Sequence, residues 1–337
     1  MPNDDLDASY RYQMTIKMFG SHPEPGFESR EQQLDVWGRQ WGCDNDVGQI
    51  RMVLMHRPGP EMSVIDPSKR IESIGTYGDL ERGWYWQSEE IPPLAEMQKQ
   101  HDVLAQTLRD EGAEVVYLDS IEGDGIKSCY TRDSSFAVKG GAIVGRLARK
   151  IRRGEEAHVT RTLAGLGMPI LRTVAGTGLA EGGSFAWLNP KTAAIGSSIC
   201  VNEEGVRQVE EVLRSQGVEL ICVDLPGYDI HIDISFTMID VDLAIVNPMG
   251  LPFWFLEKLK ELKIRTIEIS PQDSSWIVNC LAVRPGRVIM PRGISNRTMD
   301  ALVKHDVEVI QIDYDKMSLN GGGIHCSTCP LIRDSVD

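Results

Sequence analysis

A unit that recurs about every 45–60 residues is the strongest constraint this chain places on its own fold. Five segments carry apolar residues at helical spacing. They run from Leu94 to about Glu111, about Glu156 to Leu166, about Val206 to Gln216, Pro252 to Leu262, and Asn296 to His305. In the first, Leu94, Met97, His101, Leu104 and Leu108 share one face, so His101 reads as a packed histidine. Asn202 and Ser295 stand where helix caps belong, and Gly217 where the third helix must stop.

Each helix is followed by a short β-rich run: AEVVYL (113–118), PILRTV (169–174), ELICVDL (219–225), RTIEIS (265–270) and VEVIQID (307–313). Four of these runs lead on to a hairpin-like pair, at 135–145, 185–196, 236–246 and 277–291. Gly140-Gly141, Asn189-Pro190 and Pro285-Gly286 supply turns for three of the pairs. The strand IRMVLMHR (50–57) would open the first unit. A unit that cannot bury its own face must pack on its neighbours. Five of them predict an α/β fold of pseudo-five-fold repeats closed as a propeller-like ring, with an open α/β sheet as the alternative from pattern alone. Residues 45–337 would form one catalytic domain, and the polar segment 1–44 an N-terminal extension lying over it.

Polar clusters fall at one place in this rhythm, after the post-helix strand and at or just before the hairpin. They are Tyr130-Thr131-Arg132-Asp133, Glu181-Gly182-Gly183-Ser184, His231-Ile232-Asp233, Asp273-Ser274-Ser275 and Gly323-Ile324-His325-Cys326. Units related by rotation would bring these five clusters to one end of an axis. Three carboxylates (Asp133, Glu181, Asp233), one imidazole (His231) and one thiol (Cys326) suit a planar, cationic, nitrogen-rich small molecule. Carboxylates pair with a guanidinium, a thiolate attacks its central carbon, and an imidazole hands a proton to the departing nitrogen. Arg132, Ser275 and Gly323 stand in the same clusters and are expected to face the substrate, the glycines letting it approach the backbone. Read singly, each cluster has a plain structural explanation: a surface ion pair, a turn, a buried satisfied pair.

Charge and cysteine usage narrow the partners. A formal net charge of −14 argues against nucleic acid or an anionic membrane as the main partner, since those need a basic footprint. Seven cysteines at irregular spacing, with no secretory leader or membrane span evident, predict free thiols in a reducing cytoplasm. Cys326-Ser-Thr-Cys329 has the spacing of a zinc or redox pair. Structural zinc needs four ligands, and no second CxxC or His pair accompanies it. A redox CxxC should open a helix rather than close a chain.

YTRD (130–133), EGG (181–183), HID (231–233) and GGGIHCSTC (321–329) together resemble the pentein superfamily of guanidino-group-modifying enzymes. That superfamily includes arginine deiminases, dimethylarginine dimethylaminohydrolases and arginine:glycine amidinotransferases. HIDISF, Asn247-Pro248 and the C-terminal tail look most similar to the amidinotransferase branch. The resemblance implies a five-bladed α/β propeller with a central site, no metal and no organic cofactor, and leaves a homo-oligomer open. It implies Cys326 as nucleophile, His231 as general acid and base, Glu181 as its paired carboxylate, and Asp133 with Asp233 as the clamp on planar nitrogens.

The chain also departs from that pattern. Cys200 in IGSSICVN stands where an arginine for the substrate carboxylate is usual, Met249-Gly250 where the amidinotransferases place one, and Ser184 where an acidic residue is usual. Losing one arginine–carboxylate pair costs about 1.5–3 kcal/mol, so free arginine is not the expected substrate. Arg146, Arg149, Arg152 and Arg153 could compensate, although their segment also reads as a solvated helix start. Two further activities stay open: displacement of nitrite from a 2-nitroimidazole-like ring, and non-catalytic binding of a macromolecule.

Overall fold

Five three-stranded sheets of one topology organise the computed structural model, which describes residues 8–18, 24–79, 81–118 and 125–336. In four of them, a buried hairpin is followed by a helix and a third strand that pairs parallel with the hairpin's second strand. Ser135–Val138 and Gly141–Val144 are extended by Ile170–Thr173, and Phe185–Asn189 and Thr192–Ser197 by Glu219–Asp224. Phe236–Asp240 and Leu243–Val246 are extended by Arg265–Glu268, and Leu281–Arg284 and Arg287–Pro291 by Glu308–Ile312.

The remaining sheet joins the two ends of the chain. Ile50–Met55 pairs antiparallel with Cys329–Arg333 and parallel with Glu114–Tyr117. The first unit therefore lacks a local hairpin because its first strand comes from the C-terminus. That strand, CPLIR, is short and follows the glycine-rich tail, so the pattern of helix and strand alone gives no reason to expect it.

The helices are Leu94–Asp110, Glu155–Leu166, Glu203–Ser215, Phe253–Glu261 and Asn296–Lys304. The Asn202 side chain accepts the Gly205 N–H and Ser295 accepts the Thr298 N–H, which fixes two starts. His101 is fully buried, and burial pushes its titration down to about 3. Val209, Leu213, Phe255 and Leu259 are likewise sealed from solvent. Each such side chain contributes about 1.5–3 kcal/mol on transfer from water. Gly140 and Gly286, at φ of 78° and 68°, make two of the hairpin turns.

The strands that open the sheets are neighbours in space. Cys329–Arg333 packs beside Ser135–Val138, and Phe236–Asp240 lies between Phe185–Asn189 and Leu281–Arg284. Both hairpin strands are buried almost throughout, whereas the third strands are part-exposed. Polar residues just before an opening strand are therefore delivered to the interior of the assembly.

Two further parts flank these sheets. Ser29 caps the helix Arg30–Trp37, whose Gln33 is buried and accepts the Trp41 N–H. Gly42 bridges to Ile332. Residues 1–7 and 19–23 of the expected extension lie outside the described residues. Between Ile50–Met55 and Leu94–Asp110, Arg70–Ile71, Thr76–Asp79 and Trp84–Trp86 form a small antiparallel sheet.

Candidate active site

All five polar clusters turn through short irregular segments just before an opening strand. Single 3₁₀ turns occupy Gly182–Ser184, Ile232–Ile234 and Ser275–Ile277, and tight turns hold residues 131–134 and 324–327. Cys326 sits in the last of these, 5% exposed. Its N–H donates to Asn279 Oδ1 at 3.2 Å, and Asn279 Nδ2 donates to its sulphur, also at 3.2 Å. The carbonyl of Cys326 accepts the Arg132 N–H at 3.0 Å. The thiol is therefore fixed from three sides by backbone and by one buried amide.

His231 lies between two carboxylates. Its Nε2 is 2.7 Å from Glu181 Oε2, and its Nδ1 is 3.5 Å from Asp133 Oδ1. Burial works against the imidazolium, but Asp133, the Cys200 side chain and Glu181 outweigh it and hold His231 well above the ordinary imidazole range. Burial likewise works against the Glu181 carboxylate, yet His231, Arg152 and the Ala148 N–H at 2.7 Å bring it down to about 2. At neutral pH the pair is charged, with the proton on the ring.

The thiol behaves in the opposite way. Burial first, then the Asp233 and Asp133 charges, push Cys326 well above the usual thiol range, so it rests protonated. Asp233 Oδ2 is 3.6 Å from its sulphur and accepts His325 Nδ1 at 2.9 Å. Two buried carboxylate oxygens, Asp133 Oδ1 and Asp233 Oδ1, have no hydrogen-bond partner among the described residues. Leaving such an atom unpaired costs about 1–3 kcal/mol, which a ligand carrying N–H groups would relieve.

A cavity of about 620 Å³ opens on this arrangement. Cys326, His231, Glu181 and Asp133 line it, whereas Asp233, Arg132, Ser275 and Gly323 are not among the lining residues. Arg132 points Nε at the His325 carbonyl at 3.4 Å. Trp276 and Gly321 line the cavity from the segments that hold Ser275 and Gly323.

The glycine run has a different use from the one expected. A Cβ on Gly323 would stand 2.4 Å from Asn279 Oδ1, and one on Gly322 2.5 Å from the Tyr130 ring. The close approach at those two glycines is made by Asn279, which holds Cys326, and by the Tyr130 ring. Gly183 matters in the same way: a Cβ there would meet Asp133 Oδ1 at 2.6 Å and His231 Nδ1 at 2.7 Å. Gly183→Ala is expected to cost about 1–3 kcal/mol through overpacking, lowering Tm and turnover together. Gly165→Ala is the control. Nothing lies within 4 Å of its added methyl, so this helix position should gain stability and keep activity.

Several lining residues have partners that the sequence reading did not give, Arg149 and Arg152 having been named only as arginines that could compensate. Arg152 is buried, bonds Asp133 Oδ2 and grips Glu155 with two nitrogens at 2.9 and 2.8 Å, so its segment is not a solvated helix start. Arg149 donates to the Tyr85 hydroxyl and lies over its ring. Lys127 donates to Asn320 and faces the same ring, and burial lowers it to about 7. Trp84, Tyr85 and Trp86 come from the small extra sheet. Three consecutive aromatics in a polar inter-element segment were the available signal. Asn279 had none, being one amide in an apolar run.

Among the described residues, one group has the makings of a metal site: ligand atoms of Glu181, Cys200 and His231 lie within 4.8 Å of one another.

Residues 84–333 match the family model described as N,N dimethylarginine dimethylhydrolase, eukaryotic. The chain belongs to that family. The match includes every cluster built above and places the chain in the pentein superfamily of guanidino-group-modifying enzymes, which use a cysteine nucleophile. An arginine deiminase of Oenococcus oeni is 23% identical across 87% of this chain and 97% of its own. Among solved structures, a DDAH from Pseudomonas aeruginosa complexed with citrulline superposes with a TM-score of 0.66 at 20% identity. That comparison covers 84% of this chain and all of the other. An inosamine-phosphate amidinotransferase from Streptomyces griseus gives 0.67 at 15% identity, covering 88% and 98%. The mixed α/β fold is thus common to hydrolases and amidinotransferases of this superfamily. No helix among the described residues is long and apolar enough to cross a membrane.

Proposed function

We propose that Cys326 attacks the central carbon of a planar guanidine- or amidine-like group held in the cavity, on a substrate other than free arginine. The observation that carries this reading is the convergence of Cys326, His231, Glu181 and Asp133 on one cavity from four separated chain segments. A cationic group entering beside Asp133 would offset carboxylate charge that opposes the thiolate, so Cys326 gives its S–H proton to solvent when substrate is present. Its sulphur bonds to the carbon, and the protonated His231 gives its proton to the departing nitrogen as the C–N bond breaks. His231, now neutral, takes a proton from water or an acceptor amine as that second nucleophile attacks. Collapse of the second adduct returns the thiolate.

The substrate reading rests on what stands where carboxylate-binding arginines were expected. Cys200 is buried against His231. A Cβ at Gly250 would be 2.0 Å from Ser235 Oγ, which leaves no room for a side chain there. Of the compensating arginines, Arg152 is already committed to Asp133 and Glu155.

One observation favours a second reading. Trp84, Tyr85, Trp86, Tyr130, Tyr228 and Trp276 wall the cavity, an environment suited to a flat heteroaromatic ring. The same thiolate would attack C2 of a 2-nitroimidazole and release nitrite, and water would then displace the sulphur. Incubation with arginine, methylated arginines, agmatine, simple guanidines and 2-nitroimidazole separates the two. Ammonia or amine release from a guanidine other than arginine is expected, with a covalent adduct on the Cys326 peptide by mass spectrometry. Nitrite release alone would replace the first reading by the second, and robust citrulline formation would remove the argument from the missing arginines.

We further propose that the five sheets stand around a common axis as propeller blades. The contacts between opening strands support that arrangement. Residues 45–337 would form the catalytic domain beneath the 1–44 extension. Seven unpaired thiols fit a cytoplasmic protein.

A further inference from the structure

We propose that the part of the cavity beyond the catalytic clusters is a subsite for an apolar, uncharged body. The substrate is then a guanidine or amidine carried on an alkyl or aryl group, without an amino-acid end. This deepens the proposed reading, on which it rests for the reacting end alone.

Size comes first. The cavity, of about 620 Å³, lies in the range of about 300–1,000 Å³ in which pockets bury whole drug-sized molecules. A guanidinium, one carbon and its three nitrogens, fills only the corner beside Cys326, His231, Glu181 and Asp133. Much of the remaining wall is apolar and comes from other elements. Ile71 and Ile74 belong to the small extra sheet and its first turn. Tyr228 stands in the loop that leads to His231. Trp276 lies in the Ser275–Ile277 turn, where its N–H donates to Ser274 Oγ at 3.3 Å.

The apolar surface continues past the mouth. Of the lining residues, Tyr228 is fully exposed and Ile74 66% exposed. Two more apolar side chains adjoin the Tyr228 loop. Ser198 Oγ donates to the Ile230 carbonyl at 2.7 Å, which ties to that loop the turn carrying Ile199, 78% exposed. A Cβ on Gly250 would stand 3.0 Å from Asp229 Oδ2, so Met249, 86% exposed, comes beside the same loop. One exposed apolar side chain needs no explanation, but a group of them around a cavity mouth marks a binding surface. Continuity names the occupant: a molecule that seats its planar cation at Asp133 carries the rest of its atoms past these side chains.

Charge in this part of the wall is largely matched already. Asp79 pairs with Lys69 at 3.3 Å. Lys127 donates to Asn320 and stands 4.2 Å from the centroid of the Tyr85 ring, and Arg149 donates to the Tyr85 hydroxyl. Asp229 has no ion-pair partner among the described residues, and burial raises its carboxyl above the usual range. A neutral body therefore meets apolar atoms here at little electrostatic cost. A body ending in a carboxylate or an ammonium would have to draw one of these groups away from its present setting or go unpaired.

Calorimetric titration of the full chain carrying Cys326→Ala with methyl-, propyl- and pentylguanidine reads the subsite without turnover. Affinity should rise about three- to fourfold per methylene, the scale of burying one CH₂, and phenethylguanidine should bind about thirtyfold or more tighter than methylguanidine. Pentylguanidine should bind at least tenfold tighter than agmatine and 4-guanidinobutanoate, which are close to it in size but end in an ammonium and a carboxylate. Adding Tyr228→Ala and Ile74→Ala should cut the phenethyl-to-methyl affinity ratio at least fivefold. Both side chains are exposed, so their loss leaves the core intact. A flat series, or a charged analogue that matches pentylguanidine, would overturn the proposal, as would no binding by any guanidine. Turnover by the parent chain separates this inference from the reading it deepens. Guanidines consumed at rates indifferent to chain length keep the Cys326 chemistry and remove the subsite, whereas binding that climbs with chain length and no turnover keeps the subsite and removes the chemistry.

Discussion

Cys326→Ala is expected to reduce turnover by about ten-thousandfold or more, the scale on which removing a nucleophile acts, while the protein stays folded. The two halves of that expectation come from different observations. The sulphur is the one thiol among the cavity's lining side chains, so no second thiol covers its loss. Structurally, the alanine removes one atom that Asn279 holds at 3.2 Å, and the backbone bonds at residue 326 persist. A stability loss of about 1 kcal/mol is the scale for so small a deletion. Cys329→Ala is the matched control. That thiol donates to the Ser135 carbonyl at 3.2 Å within the strand Cys329–Arg333 and does not line the cavity. Its loss should lower Tm slightly and leave the rate nearly unchanged. Circular dichroism and steady-state assays on the two variants check the contrast, and equal turnover by Cys326→Ala and the parent would remove covalent catalysis from the account.

The sequence carried the units of this fold because their helices and strands are written locally. Asn202 and Ser295 cap where they were expected to, and all five post-helix strands pair within a residue or two of the anticipated runs. What local pattern cannot carry is a pairing between chain ends, and so the strand Cys329–Arg333 against Ile50–Met55 was not foreseen. The clusters at Asp133, Glu181, His231 and Cys326 were legible because identical positions in a repeat share a destination. Arg152 was legible only as one of four arginines that could compensate; its pairing with Asp133 and Glu155 was not, since Arg149, Lys150 and Arg153 make the segment look solvated. The aromatic wall from Trp84–Trp86 lies outside the repeat altogether, so no rule of equivalence pointed to it. The glycines were noticed for the right reason, close approach, with the wrong partner: protein atoms fill the space at Gly322 and Gly323.

Glu181→Gln should lower kcat/KM by about a hundred- to ten-thousandfold, the range for disabling a general acid, and should also move the pH profile. The sign follows from the two titrations. His231 is held well above its ordinary range despite burial, by Asp133, the Cys200 side chain and Glu181. Its stabilising contribution is complete below the ordinary histidine value and is lost as pH rises through the raised one. Glu181 is depressed to about 2, so its contribution is present above the ordinary carboxylate value and is lost as pH falls through about 2. Between those limits the protein carries an imidazolium ready to donate. Glutamine keeps a hydrogen-bond acceptor 2.7 Å from Nε2 but removes the charge, leaving Asp133 at 3.5 Å as the carboxylate beside the ring. The His231 pKa must then fall, and the alkaline limb of the pH–rate profile must move to lower pH. Histidine ring NMR titration reads the same shift without turnover. Should the limb and the ring resonance stay where they are in Glu181→Gln, the proton that reaches the leaving group is not the one held between Glu181 and His231, and the general acid has to be sought at His325, whose Nδ1 lies 2.9 Å from Asp233 beside the same thiol.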